Sequence, residues 1–389
     1  MKSSLLAVCI CLLVTIDWSV SHSQPDNLTL ELVQVIFRHG ERTLEKDEKK
    51  LITNTKVAFE KLDSFGQLTN KGKKQEYDLG RMLRRRYDDF LGKTYHPDNL
   101  YACSSDYDRT KVSLQLVLAG LYPPTPELRW HQNLAWQPIP TQYLPRRLDN
   151  IFLLSNCPQF KEKYVELMDS EEMRARLKEF DDLFKFLSTH YPGRIGLEMI
   201  YCINNILTIH KDFGIPFPVW YTPKLHEEIK VAAKFLFDTL SYTPDLIRLN
   251  AGGLTRRLAK NLDRDDSDDE VYGHGRRKMY LFSGHDLTVY VVLRAHNITL
   301  PNILIPDFGS ALVLEQWHDS QFHSFVKMYF WTGSSKEMIP IGPNKCNDYC
   351  PIGQYLKIVE PSMPSDDEMQ CLKKNLDMKN LDLFERLSQ

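Results

Sequence analysis

The sequence predicts an α/β fold: a mixed, mostly parallel sheet with helices on both faces, interrupted by an inserted helical subdomain. Short, almost wholly apolar runs, typical of strands buried on both faces, end abruptly in polar and small residues, and two of them lead into a helical pattern. A long central stretch carries helical periodicity alone.

The first run, residues 32–37 (LVQVIF), ends in Arg38-His39-Gly40. The second, residues 100–103, ends in Ser104-Ser105-Asp106, and a helix is expected over residues 110–121 with Ser105 or Asp106 as its N-cap. The third, residues 279–282 (MYLF), ends in Ser283-Gly284-His285-Asp286 before a helical pattern over residues 287–295. Repeated strand, loop and helix gather the loops at the carboxyl ends of the strands, where open α/β sheets bind ligands. His39 and His285 are therefore expected in one crevice.

From residue 153 to residue 247 the texture changes. Met173, Leu177, Phe180, Phe184 and Leu187 recur at alternating spacings of four and three, the pattern of one amphipathic helix, and residues 199–210 and 225–240 also read as helices. Residues 310–317 and 325–331 read as a hairpin extending the sheet. The expected organisation is a leader (1–23), an α/β domain (24–152 and 248–389) and a helical cap subdomain (153–247).

The length of 389 residues suits one large domain with an insertion, or two domains. With 42% hydrophobic and 26% charged residues, the composition is that of a soluble globular protein. A net charge of −2 gives no field that implies nucleic acid or a membrane as partner. Lys2, the apolar run 5–16 and the small residues Ser21 and Ser23 before Gln24 read as a secretory signal, with a run too short to span a bilayer. Residues 372–387 are amphipathic, and the acidic run 263–270 reads as a solvated loop.

Cys9 and Cys11 leave with the leader. Cys103, Cys157, Cys202, Cys346, Cys350 and Cys371 remain, an even set that suggests disulfides in an exported protein. Cys346 and Cys350 are close enough for a small loop-closing bridge, and no second Cys or His pair stands near them to make a zinc site. Asn27 and Asn297 begin glycosylation sequons. Oligomeric state stays open, a homodimer included.

Chemistry concentrates in Arg38-His39-Gly40-Glu41-Arg42. Guanidinium groups grip phosphate oxygens, glycine lets the backbone turn close to a ligand, and a histidine between the arginines is placed to attack phosphorus. His285-Asp286 supplies the missing half: a carboxylic acid to protonate the leaving oxygen and a further donor to phosphate.

These two motifs resemble those of the histidine acid phosphatases. Phe65-Gly66-Gln67-Leu68-Thr69 with Gly72, Asp106-x-Asp108-Arg109-Thr110, and Trp136-Gln137-Pro138-Ile139-Pro140 agree with the same family in the same order, as do five of the cysteines. The likeness runs from Glu31 to Cys371 and is strongest to secreted animal acid phosphatases, insect venom enzymes among them. It implies a phosphoglycerate-mutase-like fold and hydrolysis of small phosphate monoesters through a phosphohistidine. In that scheme His39 is the nucleophile and Asp286 the acid and base. Arg38, Arg42 and His285 bind the phosphoryl oxygens, and no metal or cofactor takes part. It also implies bridges Cys157–Cys371 and Cys346–Cys350. The usual partner of Cys202, near Ser310, is missing, which leaves Cys202 free or paired with Cys103.

Two positions depart from the family pattern. Leu44 replaces a proline after the second arginine, a small change. Cys103 stands where the family places a third phosphate-binding arginine, a loss of roughly 1.5–3 kcal/mol, or about one to two orders of magnitude in rate. Arg109 reads as a structural ion-pair partner at the helix start rather than a replacement. The competing reading is a catalytically weak or inactive secreted relative, a venom component or binding protein. The leader argues against a cytosolic mutase, and the acidic run gives no support to a phytase.

Overall fold

The computed structural model describes residues 27–51, 65–263 and 277–371, apart from residues 301, 336, 344, 345 and 347. The expected leader, the acidic run beyond Asp263 and the amphipathic stretch 372–387 lie outside the described residues. Eight strands form one sheet: β1 (Thr29–Arg38), β2 (Leu100–Ser104), β3 (Gln142–Tyr143), β4 (Met279–Gly284), β5 (Ala311–His318), β6 (Ser324–Trp331), β7 (Ile339–Ile341) and β8 (Cys350–Pro351). Their order is β3-β2-β4-β1-β5-β6-β7, with β8 beside β6. β3, β2, β4 and β1 run parallel, and the β5–β6 hairpin adds antiparallel strands at the β1 edge. The three apolar runs are thus neighbours. Pairings Arg38 with Gly284 and Ser104 with Ser283 set their carboxyl ends level, which brings the loops carrying His39, Ser105 and His285 together.

α1 (Lys46–Lys50), α2 (Asn70–Leu91) and α3 (Asp108–Leu121) precede a helical stretch of α4 (Pro158–Met168), α5 (Glu171–Leu177), α6 (Asp181–Ser188), α7 (Leu197–Phe213) and α8 (Pro223–Thr239). α9 (Pro244–Leu262), α10 (Asp286–Ala295), α11 (Ile352–Val359) and α12 (Asp366–Met369) follow. Alternation along β1 explains the two-sided cover. Val33, Val35 and Phe37 pack with Leu79 and Leu83 of α2 and Val117 and Leu121 of α3. Leu32 and Ile36 share the opposite core with Leu254 and Leu258 of α9, Val292 of α10 and Tyr355 of α11.

α9 belongs to two cores. Its Leu254, Leu258 and Leu262 join the sheet cluster, while Leu246, Leu249 and Ala251 join the helical cluster of Phe160, Phe235 and Leu236. Residue 247, the expected boundary of the insertion, therefore falls inside one continuous helix.

Two local expectations are corrected. The amphipathic stretch from Met173 to Leu187 is not one helix but α5 and α6, joined by a tight turn at Lys178–Phe180. Met173 belongs to the cluster below α9, whereas Leu183 and Leu187 belong to a second cluster with Ile200 and Ile229, and Asp181 and Asp182 start the new helix with favourable charge. Nor do Ser105 and Asp106 cap α3, whose N-cap is Tyr107 without a side-chain bond. The Ser105 hydroxyl is spent on Thr110 and His285, and Asp106 pairs with Lys111.

Cys157–Cys371 and Cys346–Cys350 are bridged, with Cα separations of 5.9 and 5.0 Å. Cys103 and Cys202 are both free, so they do not pair. The Cys103 side chain points into the sheet core with Tyr101, Phe152 and Phe282, where burial pushes its thiol up to about 12. The charge of nearby Asp149 adds to that rise.

Asp149 is itself buried. Its Oδ1 accepts the amides of Ile151 (3.1 Å) and Phe152 (2.9 Å), while its Oδ2 has no hydrogen-bond partner. Burial pushes its carboxyl up from 3.8 to about 7. The folded state therefore binds a proton that the unfolded chain releases above 3.8, and stability falls as pH rises from there to about 7. Asp149→Asn keeps the two amide bonds and supplies a neutral group. Urea unfolding at pH 4 and pH 7 is expected to show a loss of roughly 2–4 kcal/mol in the parent from this group, and a markedly smaller loss in the variant.

Candidate active site

β1 ends at Arg38, and His39 is the first residue beyond it; its amide donates to the Gly284 carbonyl at the end of β4 (3.0 Å). Gly40 follows because nothing larger fits: a Cβ there would lie 2.3 Å from the Gly72 carbonyl oxygen. The His39 loop is thereby pressed against the N-terminus of α2. Thr69 caps that helix by accepting the Gly72 amide and donates its hydroxyl to Glu41 (2.8 Å). The Phe65-to-Gly72 motif is therefore a buttress for the loop.

His39 is 3% exposed. Its Nδ1 lies 2.8 Å from the Gly40 carbonyl, which can only accept, so Nδ1 carries the proton and Nε2 the lone pair. Burial, aided by the positive charges of Arg109 and Arg38, holds the imidazole well below its ordinary value of 6.5. The ring therefore favours its neutral form, with the Nε2 lone pair free of a proton.

Three arginines surround it, each held by its own anchors. Arg38 pairs with Asp286 (2.9 Å), donates to the Pro306 carbonyl (2.6 Å) and stacks over Phe308. Arg42 forms a two-pronged pair with Glu48 (2.7 and 2.8 Å). Asn205 of α7 donates to the same carboxylate (3.0 Å). Arg109 pairs with Glu45 (2.8 Å), as its expected structural role required, but its Nε also donates to His39 Nε2 (3.1 Å). That corrects the sequence reading. As the second residue of a helix that starts just past β2, Arg109 is carried to His39 by the position of the helix.

Asp286 opens α10, and its carboxylate is fully occupied. Oδ1 accepts the Leu287 amide (2.8 Å), while Oδ2 accepts from Arg38 and from the hydroxyl of Tyr201 on α7 (2.9 Å). His285 Nδ1 faces an Arg109 N–H at 3.5 Å, which makes Nδ1 the acceptor. Its Nε2–H then points at Ser105 Oγ (3.0 Å). Burial and the charge of Arg109 hold this imidazole well below 6.5 too. The N-termini of α3 and α10 both open on the crevice and add their partial positive charge.

All five expected site residues, Arg38, His39, Arg42, His285 and Asp286, are therefore brought together, with Arg109 and Tyr201 added by the fold. Cys103 faces away, into the core. A cavity of about 540 Å³ opens on this cluster, lined by Arg42, Arg109, His285 and Asp286 and by apolar side chains of α9 and α10. Among the described residues, no group of His, Cys, Asp and Glu is arranged to hold a metal ion.

A sheet of this kind with a buried histidine among arginines defines a phosphate-ester enzyme, and the chain belongs to the histidine phosphatase superfamily (branch 2), whose model matches residues 29–331. It is a phosphoric monoester hydrolase. It is 34% identical to venom acid phosphatase Acph-1 of Apis mellifera over 353 residues, which covers 90% of this chain and 89% of the relative. It is 28% identical to the lysosomal acid phosphatase of Homo sapiens, covering 88% of this chain and 80% of that one. Among solved structures it resembles the apo phytase of Hafnia alvei with a TM-score of 0.66 at 17% identity, over 88% of this chain and 98% of that one, a likeness of fold.

If Arg109 stands in for an arginine at position 103, Arg109→Ala is expected to lower kcat/KM for an aryl phosphate by about one to two orders of magnitude. Steady-state kinetics on a variant of unchanged thermal stability checks this.

Proposed function

We propose that the protein is a secreted acid phosphatase that hydrolyses phosphate monoesters through a phosphohistidine at His39. The observation that carries the reading is the His39 ring itself: protonated at Nδ1 by its bond to Gly40, neutral through burial, and turned with Nε2 toward Arg109. In the first step the Nε2 lone pair forms the N–P bond, the ester P–O bond breaks, and the departing oxygen takes a proton from Asp286. In the second, water attacks phosphorus, gives its proton to Asp286, and the N–P electron pair returns to Nε2. Arg38, Arg42 and Arg109 are the donors to the phosphoryl oxygens, and His285 joins them once Arg109 turns to the phosphate and the ring proton, now facing Ser105, moves to Nδ1.

The free site presents Asp286 as a carboxylate with an arginine and a hydroxyl on Oδ2. An arriving phosphate dianion draws Arg38 to itself and sets its own charge beside Asp286. Glu45, Asp47, Asp108 and Glu198 also line the cavity, which supports a substrate with a single phosphate over a polyanion. Two disulfides and the leader support export. Retention of the nucleophile, the acid and three arginines favours activity over an inert binding role.

Hydrolysis of an aryl phosphate with chelator present is expected to peak at acid pH and to vanish in His39→Ala; full turnover in that variant refutes the phosphohistidine. Tyr201→Phe removes one of the donors that fix Asp286. It is expected to slow a poor leaving group such as a simple alkyl phosphate by about tenfold, while nitrophenyl phosphate, which scarcely needs an acid, changes little. Equal losses on both substrates would assign Tyr201 to phosphate binding instead.

A further inference from the structure

The cavity beyond the phosphate cluster is apolar for a structural reason: it runs along the seam where the sheet-side core meets the helical core. Ile151, Phe152 and Leu254 come to it from the first core, Ala251, Val291 and Leu287 from the second. It is continuous with the site, since the same lining includes His285 and Asp286. Neither His39 nor Arg38 lines it, so it opens on the side of the proton donor. In phosphoryl transfer the attacking and leaving atoms stand roughly in line across phosphorus, which places the leaving group away from His39 and beside Asp286. The volume of about 540 Å³ is that of a ligand site rather than a packing defect.

We infer that this protein acts on phosphate monoesters of unbranched aliphatic alcohols, with the hydrocarbon chain lodged between α9 and α10. The inference deepens the phosphatase reading and rests on it. The lining also carries the hydroxyls of Ser155, Thr288 and Tyr201 and the buried Asn250, but the Thr288 oxygen already accepts the His285 amide (3.1 Å), the Tyr201 hydroxyl is spent on Asp286 (2.9 Å) and the Asn250 amide on the Leu240 carbonyl (3.1 Å). A sugar or inositol leaving group, with hydroxyls on every side, would lose its hydration there without replacement. An alkyl chain gains by the same transfer, about three- to fourfold in kcat/KM for each methylene buried.

The test is kcat/KM for n-alkyl phosphates from ethyl to octyl, below their micelle concentrations, with the secreted full-length protein. The octyl-to-ethyl ratio is expected to reach about a hundredfold or more. Ala251→Leu, which fills the inner cavity, is expected to cut that ratio by about tenfold or more, and Val291→Phe serves if the first variant shows a lowered melting temperature. A flat series with ethyl phosphate still hydrolysed overturns the chain site and leaves the phosphatase reading intact. A steep series that neither filling variant alters also overturns it, because the chain then binds elsewhere. Failure to hydrolyse any ester, ethyl and aryl phosphates included, removes the phosphatase reading and the inference together.

Discussion

Positive charge buried around a neutral imidazole is the condition on which the rest of the structure depends. Arg38, Arg42 and Arg109 all reach the His39 region in a place with little access to water, and a buried guanidinium without a counter-charge is expensive. Each is therefore matched: Arg38 by Asp286, Arg42 by Glu48 and Arg109 by Glu45. The matching keeps the arginines in position before substrate arrives. It also leaves the histidine as the group that gives up its charge, since protonating it among three cations would cost more than leaving it neutral.

The matching ties the helical stretch to the chemistry. α7 sends Tyr201 to Asp286 and Asn205 to Glu48, so one helix braces Asp286 and, through Glu48, Arg42. Those two residues stand one turn apart on the same helix face. A shift of α7 would move the two arms of the site together. The helical stretch is thus part of the site's geometry, and the apolar side chains of α9 and α10 line the cavity beside it.

Cys103 illustrates how a lost side chain can be absorbed. Its thiol lies in the sheet core beside Tyr101 and Phe282, and it makes no approach to His39. The nearby Asp149 has one carboxyl oxygen without a hydrogen-bond partner. Arg109, six residues further along the chain and on the following helix, brings a positive charge to His39.

Much was legible from the residues alone. The three apolar runs, the motifs at their ends and the hairpin near residue 311 are local patterns, and sheet strands buried on both faces have few other ways to read. The arginines and histidine of the first turn sit within five residues of one another, so their convergence needed no tertiary knowledge. The roles of Arg109 and Tyr201 were not legible. Arg109 stands in a motif that does not say what its side chain touches, and Tyr201 looks like any aromatic on an amphipathic helix; what each touches depends on how α3 and α7 pack against strands far away in sequence. The break between α5 and α6 was hidden for the same reason, because a tight turn preserves the apolar spacing while two cores divide its residues. Sequence by itself determined which chemical groups this protein has and where the sheet places the first of them. Tertiary structure decided which charges pair, which arginine faces the nucleophile and which side of the site is apolar, because those outcomes are set by contacts between elements that no local pattern encodes.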